Sequence, residues 1–85
     1  MNINYIQDAG HGWFKISPDQ QCTLGVSEGT FSEFSYISED GTIYAEEDCD
    51  CGYLFRAAES KGIELNINHI NVNGDSWVRT LPRCS

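Results

Sequence analysis

Six consecutive residues, Glu46-Glu47-Asp48-Cys49-Asp50-Cys51, place four carboxylates and two thiols side by side. Three kinds of chemistry could use them. The first is metal binding. A Cys-x-Cys pair with a remote Cys and His offers zinc ligands, but the spacing is not that of paired Cys-x₂-Cys modules. On a helix, residues two apart point about 200° away from each other, so Cys49 and Cys51 could not chelate together there. A calcium loop starting at Asp48 brings Asp50 to its third position and Glu59 to its twelfth. It then places Tyr53 at the sixth position, where a sharp turn requires Gly. No metal or other cofactor is therefore expected. The second chemistry is a reactive thiol. A helix start lowers a thiol pKa, and Cys49 lies near one, but the adjacent acids disfavour a thiolate and outnumber it. The third is a fixed negative surface that meets a basic protein or imitates nucleic-acid phosphates. Its bland counterpart is a solvated face with helix-capping acids.

His11, between Gly10 and Gly12, is the other candidate, as a base or a ligand. Its simplest role is to hold the turn by hydrogen bonding to backbone. His69 lies on an apolar phase and suits a satisfied core or edge position. A nucleophile pair of Cys49 with His11 or His69 requires a proximity that sequence does not display. The large aromatics, among them Trp13, Tyr36, Tyr44 and Trp77, need no ligand to explain them, because a small domain depends on them for buried area.

The elements that must position these groups follow from local signals. Asn2 to Ile6 and Trp13 to Ile16 read as strands around the turn Asp8-Ala9-Gly10-His11-Gly12. Ser17-Pro18 starts a short helix, roughly Pro18 to Leu24, which Gly25 stops. Asp40-Gly41 between two β-prone runs predicts a two-residue hairpin, with Glu39 opposite Thr42 and Ile37 opposite Tyr44. Asp48 to Lys61 is the main helix, capped by Asp48 or Asp50, with Cys51, Leu54, Phe55 and Ala58 as its buried stripe. Ile63, Leu65 and Ile67 alternate with polar residues as a half-buried strand. Asn73-Gly74 predicts a second hairpin to a strand Ser76–Leu81, pairing Val72 with Asp75, Ile70 with Trp77 and Asn68 with Arg79, with a bulge near His69. No internal repeat stands out. The expected fold is α+β in two layers: an antiparallel sheet of four or five strands with two tight hairpins, covered by one main helix, plus one short helix.

The chain has 85 residues, with 13 acids against 5 bases, for a net charge of −8. Its apolar content suffices for one core, so a single domain over residues 1–85 is expected. Residues 16–55 hold nine acids and no base. That argues against direct nucleic-acid binding, which needs clustered Lys and Arg, and against anionic membranes. No apolar run approaches a membrane span of about 20 residues. The start Met1-Asn2-Ile3-Asn4-Tyr5 lacks the pattern of a signal peptide, so Cys22, Cys49, Cys51 and Cys84 are expected as free thiols in a bacterial cytoplasm.

Gly10-His11-Gly12-Trp13, Phe31-Ser32-Glu33-Phe34-Ser35-Tyr36, Tyr44-Ala45-Glu46-Glu47-Asp48-Cys49-Asp50 and Trp77-Val78-Arg79 follow one another in an order that resembles a family of small uncharacterised bacteriophage, prophage and bacterial proteins. The resemblance runs from about Asp8 to Pro82. It implies a phage or mobile-element context and no particular mechanism. The expected function is non-catalytic: binding a protein partner with a basic surface through Glu39, Asp40, Glu46, Glu47, Asp48 and Asp50, as a nucleic-acid mimic or inhibitor of host defence does. The alternative is a small thiol- or metal-dependent enzyme centred on Cys49 and His11. Either a monomer or a homodimer is compatible with the chain.

Overall fold

The computed structural model describes residues 1–74 and 76–84. Its strands are β1 (Asn2–Gln7), β2 (Gly12–Ile16), β3 (Tyr36–Ile37), β4 (Ile43–Glu46) and β5 (Asn66–Asn71); its α-helices are α1 (Pro18–Leu24) and α2 (Glu47–Ser60). Short 3₁₀ turns lie at Glu28–Thr30 and Trp77–Thr80. The strands form one sheet in the order β3-β4-β2-β1-β5.

Alternation along the strands divides the apolar residues between two faces. Ile3, Tyr5, Phe14, Ile16, Ile43 and Ala45 face the helices and pack with Leu24, Leu54 and Ala58. Ile6, Trp13, Tyr36 and Tyr44 face the other way, and Val78 of the C-terminal 3₁₀ turn closes over them. The α+β reading therefore holds, with helices on one face and the C-terminal segment across part of the other.

α1 forms where its local signals put it. The Ser17 hydroxyl accepts from Gln20 N–H at 3.2 Å, and Gln20 Oε1 accepts from Ser17 N–H at 2.9 Å. These reciprocal bonds satisfy two otherwise orphaned donors. Gly25 ends the helix at φ +73°. α2 starts one residue earlier than predicted. Its N-cap is Glu46, whose carboxylate accepts from Cys49 N–H at 2.8 Å, and not Asp48 or Asp50. Asp50 turns inward and is fully buried with Leu54 and Ala58, whereas Phe55 stays 40% exposed and meets Phe14 edge-on.

The Asp40-Gly41 hairpin forms with a different register. Gly41 N–H donates to Ser38 O and Ser38 N–H to Thr42 O, with Gly41 at φ +88°. A turn followed by a left-handed Gly lengthens the loop to three residues, so Ile37 pairs with Ile43 and Tyr36 with Tyr44. This shift keeps isoleucines on the helix side and tyrosines on the other.

The second predicted hairpin does not form. Residues Trp77–Thr80 make a 3₁₀ turn, capped by the Ser76 hydroxyl accepting from Val78 N–H at 3.2 Å. The pairs Ile70–Trp77 and Asn68–Arg79 are absent; Asp75, the predicted partner of Val72, lies outside the described residues. β5 pairs instead with β1, in parallel and without a bulge, from Asn2↔Asn66 to Gln7↔Asn71. The sheet is thus mixed and not wholly antiparallel. Its other tight hairpin joins β1 to β2, from Gln7↔Gly12. The two parallel partners, Asn-Ile-Asn-Tyr-Ile-Gln and Asn-Ile-Asn-His-Ile-Asn, share four of six residues, a short repeat the sequence reading passed over.

Gly12 is required by its neighbour. A Cβ there would lie 1.8 Å from the Tyr5 hydroxyl, which crosses over it to donate a hydrogen bond to Glu47. No helix of the described residues is long and apolar enough to cross a membrane.

Candidate functional site

The pairing of Trp13 with Glu46 across β2 and β4 brings the β1–β2 turn against the end of β4. There the chain turns directly into α2, so Glu46, Asp48 and Cys49 gather beside His11. These four line a pocket of about 280 Å³. Trp13, Phe34 and Tyr36 supply its aromatic walls, and Arg79 and Arg83 its cationic side.

Asp8 builds the turn that presents His11. Its Oδ1 accepts from Gly10 N–H at 3.0 Å, His11 N–H at 2.9 Å and Arg79 Nη2 at 3.0 Å. Its Oδ2 accepts from Ser76 N–H at 3.0 Å and Arg79 Nε at 2.7 Å. The Arg79 guanidinium beside this buried carboxyl holds it far below the usual carboxylate range, against the opposing effect of burial. The same guanidinium lies 5.4 Å from the centre of the Trp13 ring, a cation–π distance. One ionic contact therefore fixes the turn, the pocket wall and the C-terminal segment together.

The Phe34 wall is held by Asp50. This buried carboxylate accepts from Ser32 N–H at 3.0 Å, from the Ser32 hydroxyl at 2.8 Å and from the Ser35 hydroxyl. The Ser35 oxygen in turn accepts from Glu46 N–H at 2.9 Å.

The six carboxylates predicted as one contact face do not converge. Glu39 and Asp40 sit on the hairpin loop at one end of β4, and Glu46 to Asp50 at its other end. Glu46 and Asp50 are buried, because the backbone turns from strand to helix between them and each has donors to satisfy inside. Glu39, Asp40, Glu47 and Asp48 are exposed. Asp40 is partly occupied with its own loop, accepting from Thr42 N–H and the Ser38 hydroxyl, and the latter bond lowers its pKa first.

His11 and Cys49, the alternative pair, do share the pocket; His69 packs against Tyr5, with ring centres 5.1 Å apart, and is not among the lining residues. Cys49 and Cys51 diverge as helical geometry requires, Cys51 packing toward the core on the helix side. All four cysteines are free thiols. Loss of hydration, the hydrogen bond to Glu46 and the charges of Glu46, Asp50 and Asp48 push the Cys49 thiol above its ordinary value. A nucleophilic cysteine needs the opposite shift. At pH 7, a maleimide or iodoacetamide titration resolved by peptide mapping is expected to modify Cys49 no faster than a cysteine in an unstructured peptide. Labelling tenfold faster would restore the thiol-enzyme reading.

Asp8 and Arg79 were not singled out by the sequence reading. The available signal was the Trp77-Val78-Arg79 segment. Four segments distant in sequence contribute to the pocket: His11 and Trp13, Phe34 and Tyr36, the Glu46–Cys49 stretch, and Arg79. No protein-family model, curated protein or solved structure matches the chain.

Proposed function

We propose that this protein is a non-catalytic binding module that docks a protein with a basic surface on the pocket side of the sheet. The observation that carries this reading is the placement of its exposed aromatics. Phe34 and Trp77 are 51% and 49% exposed, although both belong to the most costly residue class to leave in water. Phe34 lines the pocket, and Trp77 stands edge-on over Tyr44 on the same sheet face. Exposed aromatics are the usual anchors of protein interfaces. The carboxylates of Asp48 at one end and of Asp40 at the other frame them with negative charge, which steers basic partners and selects against acidic ones. Division of the acids between two ends of β4 favours discrete contacts with a protein over imitation of an unbroken line of phosphates. The resemblance to phage and prophage proteins adds the context, a partner in the bacterial cytoplasm.

The test is capture from bacterial lysate on the immobilised protein at low salt, compared with the variants Asp40→Asn/Asp48→Asn and Phe34→Ala/Trp77→Ala. Specific capture should fall at least about tenfold in each variant, and should be released as ionic strength rises and the screening length shortens. Equal capture by wild type and both variants, or retention that ignores salt, would overturn the reading.

A further inference from the structure

We infer that His11, Glu46 and Asp48 form a binding site for a divalent metal ion of the zinc class. One ring nitrogen of His11 and one carboxylate oxygen from each acid lie within 4.8 Å of one another. They come from three separate pieces of structure, the β1–β2 turn, the end of β4 and the first turn of α2, so the convergence is a product of the fold.

Glu46 supplies the second, independent observation. Its side chain is only 8% exposed, yet it faces the pocket. Among the described residues its one ion-pair contact is His11, with Nδ1 and Oε1 3.5 Å apart. That is longer than a sound N–H···O bond, which ends near about 3.2 Å. It lies just beyond the spacing of two ligands of one ion, since bonds of about 2.1 Å set neighbouring donors about 3.0–3.4 Å apart, so a small closure of the pair would seat the ion. A buried carboxylate with no Lys or Arg partner carries an uncompensated desolvation cost. The α2 N-terminus offsets part of it, and a bound cation would offset the rest. Glu46 Oε2 is held by Cys49 N–H at 2.8 Å, the kind of outer contact that fixes a ligating carboxylate while Oε1 faces His11.

The other two donors are exposed and can close on this fixed point by side-chain rotation. Arg79, on the same pocket, does not repel the ion as a free cation would, because Asp8 already neutralises it. An imidazole with two carboxylates selects a borderline ion such as Zn²⁺ over Mg²⁺ or Ca²⁺, which take oxygen alone. The Cys49 sulfur is not among the converging atoms. The site shares the pocket and Asp48 with the proposed docking surface, but metal binding by the chain alone does not depend on a partner.

Calorimetric titration with Zn²⁺ alone, on the reduced full chain, should give one site with a dissociation constant of about 10 μM or lower. His11→Ala and Asp48→Asn should each weaken it at least about tenfold, as should Glu46→Gln, which keeps an oxygen to cap α2. Glu39→Gln should not change it. Far-UV circular dichroism establishes that each variant is folded. With only two histidines in the chain, Zn²⁺ should move the ring resonances of His11 and leave those of His69. Co²⁺ should give a d–d spectrum without a sulfur-to-metal charge-transfer band. No binding up to 1 mM, equal affinity for Mg²⁺, a strong thiolate band, or a Zn²⁺ affinity untouched by all three ligand variants would each overturn the site.

Discussion

Asp8→Ala is expected to destabilise the protein by about 3–5 kcal/mol, the usual loss when one partner of a buried ion pair is removed. That is a large share of the ~5–15 kcal/mol available to a typical domain. The variant strands the Arg79 guanidinium and frees the N–H groups of Gly10, His11 and Ser76. Both ends of the described chain should loosen at once, because Asp8 ties the β1–β2 turn to the segment that carries Val78 and Arg79. Urea unfolding followed by tryptophan fluorescence measures the loss. Asp8→Asn keeps an acceptor for part of the backbone and should lose less. The effect has a defined pH sense. Asp8 is more acidic when folded than when unfolded, so its contribution is complete above the ordinary carboxylate pKa of about 4 and fades as pH falls below it. Between pH 5 and pH 2 the wild type should therefore lose stability more steeply than Asp8→Ala. Parallel pH profiles would show that the ion pair contributes nothing net.

Asp50→Ala is expected to cost about 3 kcal/mol, since it leaves three donors without their acceptor in the interior. The wall around Phe34 should detach from α2, with faster amide exchange at Ser32, which loses its acceptor directly, and at Glu46, which bonds the tethered Ser35 hydroxyl. Asp50→Asn should lose much less. Its oxygen can still receive the serine hydroxyls. A stability unchanged in Asp50→Ala would mean that residues 31–35 hold their place by Phe31 and Tyr36 packing alone.

Where structure depends on neighbours a few residues away, the chain was legible. Ser17, Pro18, Gln20 and Gly25 enclose α1 completely, and α2 is displaced by a single residue. The Asp40-Gly41 turn was visible, but its register depends on whether Gly41 sits inside a two-residue loop or after a three-residue one, and dipeptide identity does not distinguish these. The Asn73-Gly74 turn misled for a different reason. A turn signal says where the chain bends and not what it meets afterwards. β5 meets β1, sixty-four residues away, while Val78 fills the second face and Arg79 finds Asp8. The site shows the same division. His11, Cys49 and the acids stood out by type. Their grouping needed the β2–β4 register, and the inward turn of Glu46 and Asp50 needed donors supplied by other segments.

The shared Asn-Ile-Asn-x-Ile of β1 and β5 has a further consequence. The two strands pair in register, like residue on like, and the Asn68 side-chain amide donates to Asn4 Oδ1 at 3.3 Å. β5 is an edge strand, so its release breaks no other strand pairing and leaves the outer side of β1 bare. Recognition between these strands is by repeated identity, and identity is a property every copy of the chain possesses. A molecule with β5 detached would meet the β5 of another copy on the same terms as its own, provided that residues 76–84, tied to Asp8 and Tyr36, leave with the strand from a hinge at residues 61–65. Exchange of that strand preserves every hydrogen bond of the pair, so the balance between one chain and two is set by concentration and by the hinge.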